Sequence, residues 1–106
     1  MKKIEAIIKP FQVDAVKEAL SESGVNILTV SDVTGTSRQK GRTFYRGLEY
    51  VTDVIPKAKL EIVVANEIVS RVVRAIRSAA GYGVEMIVVL PIEETHSVFA
   101  MMAPVG

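Results

Sequence analysis

Arg38, Lys40, Arg42 and Arg46 all fall between Ser37 and Gly47, a segment with no acidic residue. Tyr45 and Tyr50 stand among and just after them. Cations and aromatics gathered in this way suit the binding of an anion or a partner, and they are costly to keep in an idle loop. The wider stretch, Gly35 to Lys57, is long, polar and broken by Gly41 and Gly47. A compact domain rarely keeps a structureless connection of that length without a task, and loops on a rigid scaffold are where binding residues concentrate. The plainer accounts are a floppy insertion or an extended hairpin bent back on itself. A third use, stacking of single-stranded nucleic acid on Tyr45 beside the cations, finds little support: the net charge is only +1, so no broad field draws a polyanion. Catalysis needs a positioned base or nucleophile in a cleft. The single histidine, His96, lies in the tail, where a solvated role is the ordinary one.

The elements that position this stretch follow from hydrophobic periodicity. The chain has 106 residues, 49% of them hydrophobic, enough for one domain with an aliphatic core. Cysteine is absent, so disulfides and thiolate metal sites are excluded, and a cytoplasmic location is expected. The N-terminal apolar run is interrupted by Glu5 and Lys9 and reads neither as a signal peptide nor as a membrane span. Residues 2–9 alternate as a strand, with Ile4, Ala6 and Ile8 on one face and Lys3, Glu5 and Ile7 on the other. Pro10 stops that strand and opens a helix over 12–23, carried by Val13, Val16, Ala19 and Leu20 and ended by Gly24. Residues 26–35 are rich in β-branched side chains and predict a second strand. Residues 58–65 predict a third. Asn66 then caps a second helix, carried by Ile68, Val69, Val72, Val73 and Ile76. After the Gly81-Tyr82-Gly83 turn, residues 86–92 predict a fourth strand.

Strand, helix, strand, loop, strand, helix, strand is the order of an α+β, ferredoxin-like βαββαβ fold. It gives a four-stranded antiparallel sheet with two helices on one face. The whole chain, residues 1–106, is then a single domain, with the long loop at about 36–56. Ile7, Val63 and the run Ile87 to Leu90 leave apolar groups for the uncovered face, and such a patch predicts a partner. A homo-oligomer packed through its sheets is expected.

Several strings are specific enough to suggest a family. MKKIEAIIKPF, VKEAL, RQKG, YRG, PK followed by EIVV, and VLP occur in this order. The chain closely resembles the PII signal-transduction proteins. The resemblance implies a non-catalytic, regulatory homotrimer, with adenine-nucleotide sites in the clefts between subunits and long loops that reach target proteins, a transporter or an enzyme. It implies an adenine pocket lined by Ile7, Thr29, Glu61 and Val63. Gly35, Thr36, Ser37, Arg38, Gln39 and Gly83 would lie along the rest of the nucleotide, with Arg38 reaching its terminal phosphate. Gln39, Lys40, Gly41 and Lys57 match effector positions, where the family holds Mg-bound 2-oxoglutarate. Tyr50 matches a tyrosine that many bacterial members have uridylylated.

The departures from the family pattern concern charge. Gly35-Thr36-Ser37 replaces Gly-Phe-Gly, and the exposed loop is one residue shorter. The phosphate-wrapping turn is reduced to Gly81-Tyr82-Gly83-Val84-Glu85-Met86, with Met86 in the place of a lysine. Ser97 and Phe99 occupy the places of two arginines, and Glu85 adds a negative charge. Charge-assisted bonds to phosphate contribute about 1.5–3 kcal/mol each, so ADP or AMP is expected to gain over ATP. By what it lacks, the chain resembles the PII-like branch associated with carboxysomes and inorganic-carbon transport, which implies bicarbonate as an effector. The alternatives are a conventional nitrogen-regulatory PII protein sensing ATP/ADP and 2-oxoglutarate, and a small nucleotide-hydrolysing enzyme.

Overall fold

A computed structural model describes residues 1–25, 27–45 and 48–96; the side chains of 37–45 and 48–53 lie outside that description. The elements run β1 (Lys2–Ile8), α1 (Val13–Glu22), β2 (Thr29–Tyr45), β3 (Leu48–Val64), α2 (Val69–Ala80) and β4 (Met86–Pro91). The sheet order is β2-β3-β1-β4. β1 is antiparallel to both β3 and β4, and β3 is antiparallel to β2. This is the expected ferredoxin-like α+β arrangement.

Both helices bury their apolar stripes against one face of the sheet. Ile4, Ala6 and Ile8 of β1 and Ala58, Leu60, Ile62 and Val64 of β3 meet Val16 and Leu20 of α1 and Val72, Ile76 and Ala80 of α2. The period of two in the strands and the wider period in the helices aim these residues at a common layer. The turn out of α1 is made by Gly24 at φ 93°, a left-handed conformation that glycine adopts without a Cβ clash. Neither helix has a side-chain cap. α2 is preceded instead by a 3-10 turn, Asn66–Ile68. The expected Asn66 cap is therefore replaced by backbone bonding, with the Ile68 amide donating to the Ala65 carbonyl at 3.2 Å.

Two further expectations are corrected. The stretch read as a long loop at about 36–56, for which an extended hairpin is one of the plainer accounts, carries strand pairing that continues without a break from Thr29↔Glu61 to Lys40↔Tyr50, then shifts register before Tyr45↔Leu48. Backbone polar groups over so long a connection need partners, and an antiparallel ribbon supplies them. The uncovered sheet face is also less apolar than expected. Ile87 packs toward the core and Val89 shares that face, opposite Ala6 and Ile4. Only Met86, Val88 and Leu90 of β4 remain for the open side, beside a row of charges.

Candidate functional site

The open face is built by the odd-numbered residues of β1, β2 and β3. From β1 come Lys3, Glu5 and Ile7; from β3, Lys57, Lys59, Glu61 and Val63; from β2, Thr29, Ser31, Val33 and Gly35. At its centre Lys3 Nζ lies 2.7 Å from Glu61 and 3.1 Å from Glu5, while Lys59 lies 3.8 Å from Glu5. The Lys3 ammonium, hydrogen-bonded to Glu61, holds that carboxyl below its usual range. Lys3 is in turn raised by its bonds to Glu61 and then Glu5. Alternating opposite charges across neighbouring strands attract, so the face is polar but internally neutralised.

The expected adenine-lining residues do not form one pocket within a chain. Thr29 and Glu61 are register partners, and Val63 stands two residues along β3. Ile7 lies opposite Lys59, four residues along β1 from Lys3, the partner of Val63, which at about 3.3 Å per residue is about 13 Å away. Ile7 stands two residues along from the level of Glu61 on one side and from that of Lys57 on the other, and so it also adjoins a second cluster at the root of the β2–β3 ribbon. There its carbonyl accepts the Glu85 amide at 2.9 Å, and it pairs with Met86 across β4. Gly35 and Lys57 complete that cluster. A Cβ on Gly35 would lie 3.4 Å from Lys57 Cγ, an ordinary contact, so Gly35 and the lysine stem are neighbours on this face. Thr29 and Gly35 are six residues apart on extended β2, about 20 Å. One chain thus presents Thr29, Glu61 and Val63 beside the Lys3–Glu61 ion pair at one end of its open face and Gly35 and Lys57 at the other.

Lys57 is the least exposed charged side chain of the ion pairs, at 13%, and its Nζ meets Glu85 Oε2 at 2.8 Å. Sequence reading noted the charge of Glu85 but not this partner, because nothing in the spacing brings residues 57 and 85 together. It also missed Gln12. The Gln12 Nε2 donates to the Ala80 carbonyl at 2.6 Å, and its amide covers Gly83, where a Cβ would fit only if that amide moved away. Gly83 is buried against Gln12, in the turn that leads into α1, a packing position within the single chain. The turn it belongs to borders an open cleft of about 540 Å³ lined by Arg77, Gly81, Tyr82, Val84, Glu85, Met86 and Ile87. Among the described residues no cluster of His, Cys, Asp or Glu could hold a metal ion, and no helix is long and apolar enough to cross a membrane.

Thr36 is exposed and pairs with Val54. The backbones of Ser37, Arg38, Gln39 and Lys40 pair with Asp53, Thr52, Val51 and Tyr50, and Gly41 lies within β2. The side chains of this group, Tyr50 included, lie outside the described residues, as do Ser97 and Phe99.

Comparison with known proteins agrees with this architecture. The family model described as Nitrogen regulatory protein P-II matches residues 1–99. A protein of that name from Azospirillum brasilense is 52% identical over 98 residues, covering 89% of this chain and 88% of its own. One from Rhizobium meliloti (strain 1021) is 57% identical over 84 residues, covering 78% and 75%. One from Haemophilus influenzae (strain ATCC 51907 / DSM 11121 / KW20 / Rd) is 51% identical over 84 residues, again covering 78% and 75%. These relatives carry the conventional nitrogen-regulatory name, which corrects the assignment to a carboxysome-associated branch. The βαββαβ sheet, the long β2–β3 ribbon and a match over nearly the whole length lead to one conclusion: the chain belongs to the nitrogen regulatory P-II family.

Proposed function

We propose that this protein is a non-catalytic signalling subunit of the nitrogen-regulatory type. It binds an adenine nucleotide between copies of itself and reports that state to a target protein through the β2–β3 ribbon. The observation that carries this reading is the division of the open face into two half-sites. Thr29, Glu61 and Val63 are too far along the strands from Gly35 and Lys57 to close on one small ligand alone. A neighbouring copy, set against the same face, supplies the complementary half, and a homotrimer gives each cleft the same composition. Arg38 and Gln39 then serve the phosphates, and Gln39, Lys40, Gly41 and Lys57 an acidic effector. 2-Oxoglutarate replaces bicarbonate as the favoured effector, because the relatives carry the nitrogen-regulatory name.

ADP or AMP binds at least as well as ATP in this reading. Met86 offers no cation at the end of the shortened turn, and Glu85 adds an anion there, so each further phosphate brings charge without a counter-charge. Calorimetry with ATP, ADP and AMP, with and without magnesium, tests it. Arg38→Ala should weaken ADP more than AMP, and Thr29→Ala both alike. Magnesium ATP binding more than tenfold tighter than ADP, about 1.4 kcal/mol, overturns the ranking. A stable monomer near 11.5 kDa in light scattering at micromolar concentration overturns the shared cleft.

A further inference from the structure

We propose that Glu85 is a built-in competitor for the effector site. Its carboxylate holds the Lys57 ammonium in the unliganded chain, and a small carboxylate ligand binds there only by exchange with it. The inference rests on the reading of Lys57 as an effector residue, and it adds to that reading the identity of the group the effector must displace.

The two partners of this ion pair are unequally placed. The Lys57 side chain is 13% exposed and Glu85 is 54% exposed. The lysine stem runs alongside Gly35, with Cγ and Cε at 3.4 and 3.6 Å from where a Cβ would stand, and little of the side chain is exposed. Its ammonium therefore has little freedom to seek water, and a cation so placed needs a counter-charge. Among the described residues, Glu85 is the only carboxylate within ion-pair distance of it. Glu85 is differently constrained. Its backbone is fixed by the amide bond to the Ile7 carbonyl at 2.9 Å, but its side chain reaches solvent. Rotation of that side chain releases the carboxylate to water without disturbing β1 or β4. Arg77 lines the same cleft as Glu85 and offers the released carboxylate another cation.

The consequence is an exchange of one anion for another. Losing Glu85 strands Lys57, so the pair opens when a second anion takes its place. The ligand class follows from what the site already accepts: a carboxylate oxygen at 2.8 Å from the ammonium. The contact also ties the turn after α2 to the root of the β2–β3 ribbon. Exchange unties them, which couples ligand arrival to the ribbon.

The test titrates 2-oxoglutarate, and separately bicarbonate, into the wild type, Glu85→Gln, Glu85→Ala and Lys57→Gln. Each is measured without nucleotide and with saturating magnesium ATP or ADP. Both Glu85 variants are expected to bind one of these probes at least tenfold more tightly than the wild type. Lys57→Gln should bind it at least tenfold more weakly. The side-chain carboxyl carbon resonance of Glu85 in the wild type should move on saturation. Equal or weaker binding by both Glu85 variants, an unmoved Glu85 resonance at saturation, or no binding of either probe by any variant overturns the proposal. Nucleotide titration of the same samples reads the nucleotide site independently, so failure of the exchange and failure of the proposed function give different results.

Discussion

The two faces of β1 differ completely although they share one backbone. Ile4, Ala6 and Ile8 have no exposed surface, whereas Lys3, Glu5 and Ile7 are each partly exposed on the other side. The covered face is filled by α1 and α2 and is apolar throughout. The open face carries Lys3, Glu5, Lys59 and Glu61 in contact with one another, with Ile7, Val63 and Leu90 around them. The contrast separates two tasks. Non-directional burial on one side holds the fold, while paired, directional charges on the other can fix the register of whatever docks there without driving association by themselves.

The contrast is broken most severely on the covered face. Leu60→Ala empties a fully buried position and should cost about 2–5 kcal/mol in urea unfolding at fixed subunit concentration. A loss below 1 kcal/mol would show that the helices do not seal that face. Gln12→Ala comes next. It leaves the Ala80 carbonyl without its 2.6 Å donor and should cost about 1–3 kcal/mol in the same measurement. Gly83→Ala should fall in the same range, because the new methyl displaces the Gln12 amide.

Lys3→Met, on the open face, should change stability less than either. Its clearer signature is pH dependence. The folded Glu61 carboxyl titrates below its ordinary value near 4.5. The pairing therefore adds stability that is complete above that value and disappears as the pH falls through the folded one. Lys3 is raised above 10.5, so its contribution is complete below that value and is lost as the pH rises through its folded one. Below pH 4.5 the melting midpoint of the wild type should fall more steeply than that of Lys3→Met. In the variant, NMR titration should find the Glu61 carboxyl moved back toward its ordinary value. The smallest effect belongs to Tyr82→Ala, a fully exposed ring, which should shift stability by no more than about 0.5 kcal/mol.

The fold was legible in the sequence wherever burial enforces a period. Ile4, Ala6 and Ile8 at spacing two, and Val72 and Ile76 at spacing four, announce their elements because only one face of each is covered. The reach of β2 and β3 was not legible. Beyond Ala58 β1 ends and β3 has only β2 beside it. No core selects alternating hydrophobics there, and Pro56 is tolerated by a strand with a free side. The site was legible in part. Family strings singled out Thr29 and Glu61 for a nucleotide and Lys57 for an effector, but the Lys57–Glu85 contact joins residues that only the folded turn brings together. The charge row on the open face was open to the same parity argument as the core. Lys3 and Glu5 share a face of β1, Lys59 and Glu61 share one of β3, and antiparallel register makes them neighbours.

The central place of β1 has a consequence for how the chain is made. β1 is synthesised before both of its partners, β3 and β4, and hydrogen-bonds on both sides, with Lys2 meeting Pro91 across β4. Ribosomes add about 5–20 residues per second, so the 78 positions from Ile8 to Met86 separate the end of β1 from the first residue of β4 by roughly 4 to 16 seconds. Throughout that interval one edge of an isoleucine-rich strand waits without its partner, the condition in which nascent strands find wrong neighbours. Lys3 and Glu5 break the apolar run of that strand, the pattern by which charges guard exposed hydrophobic strands, so the charges that mark the open face of the finished protein also suit the unfinished one.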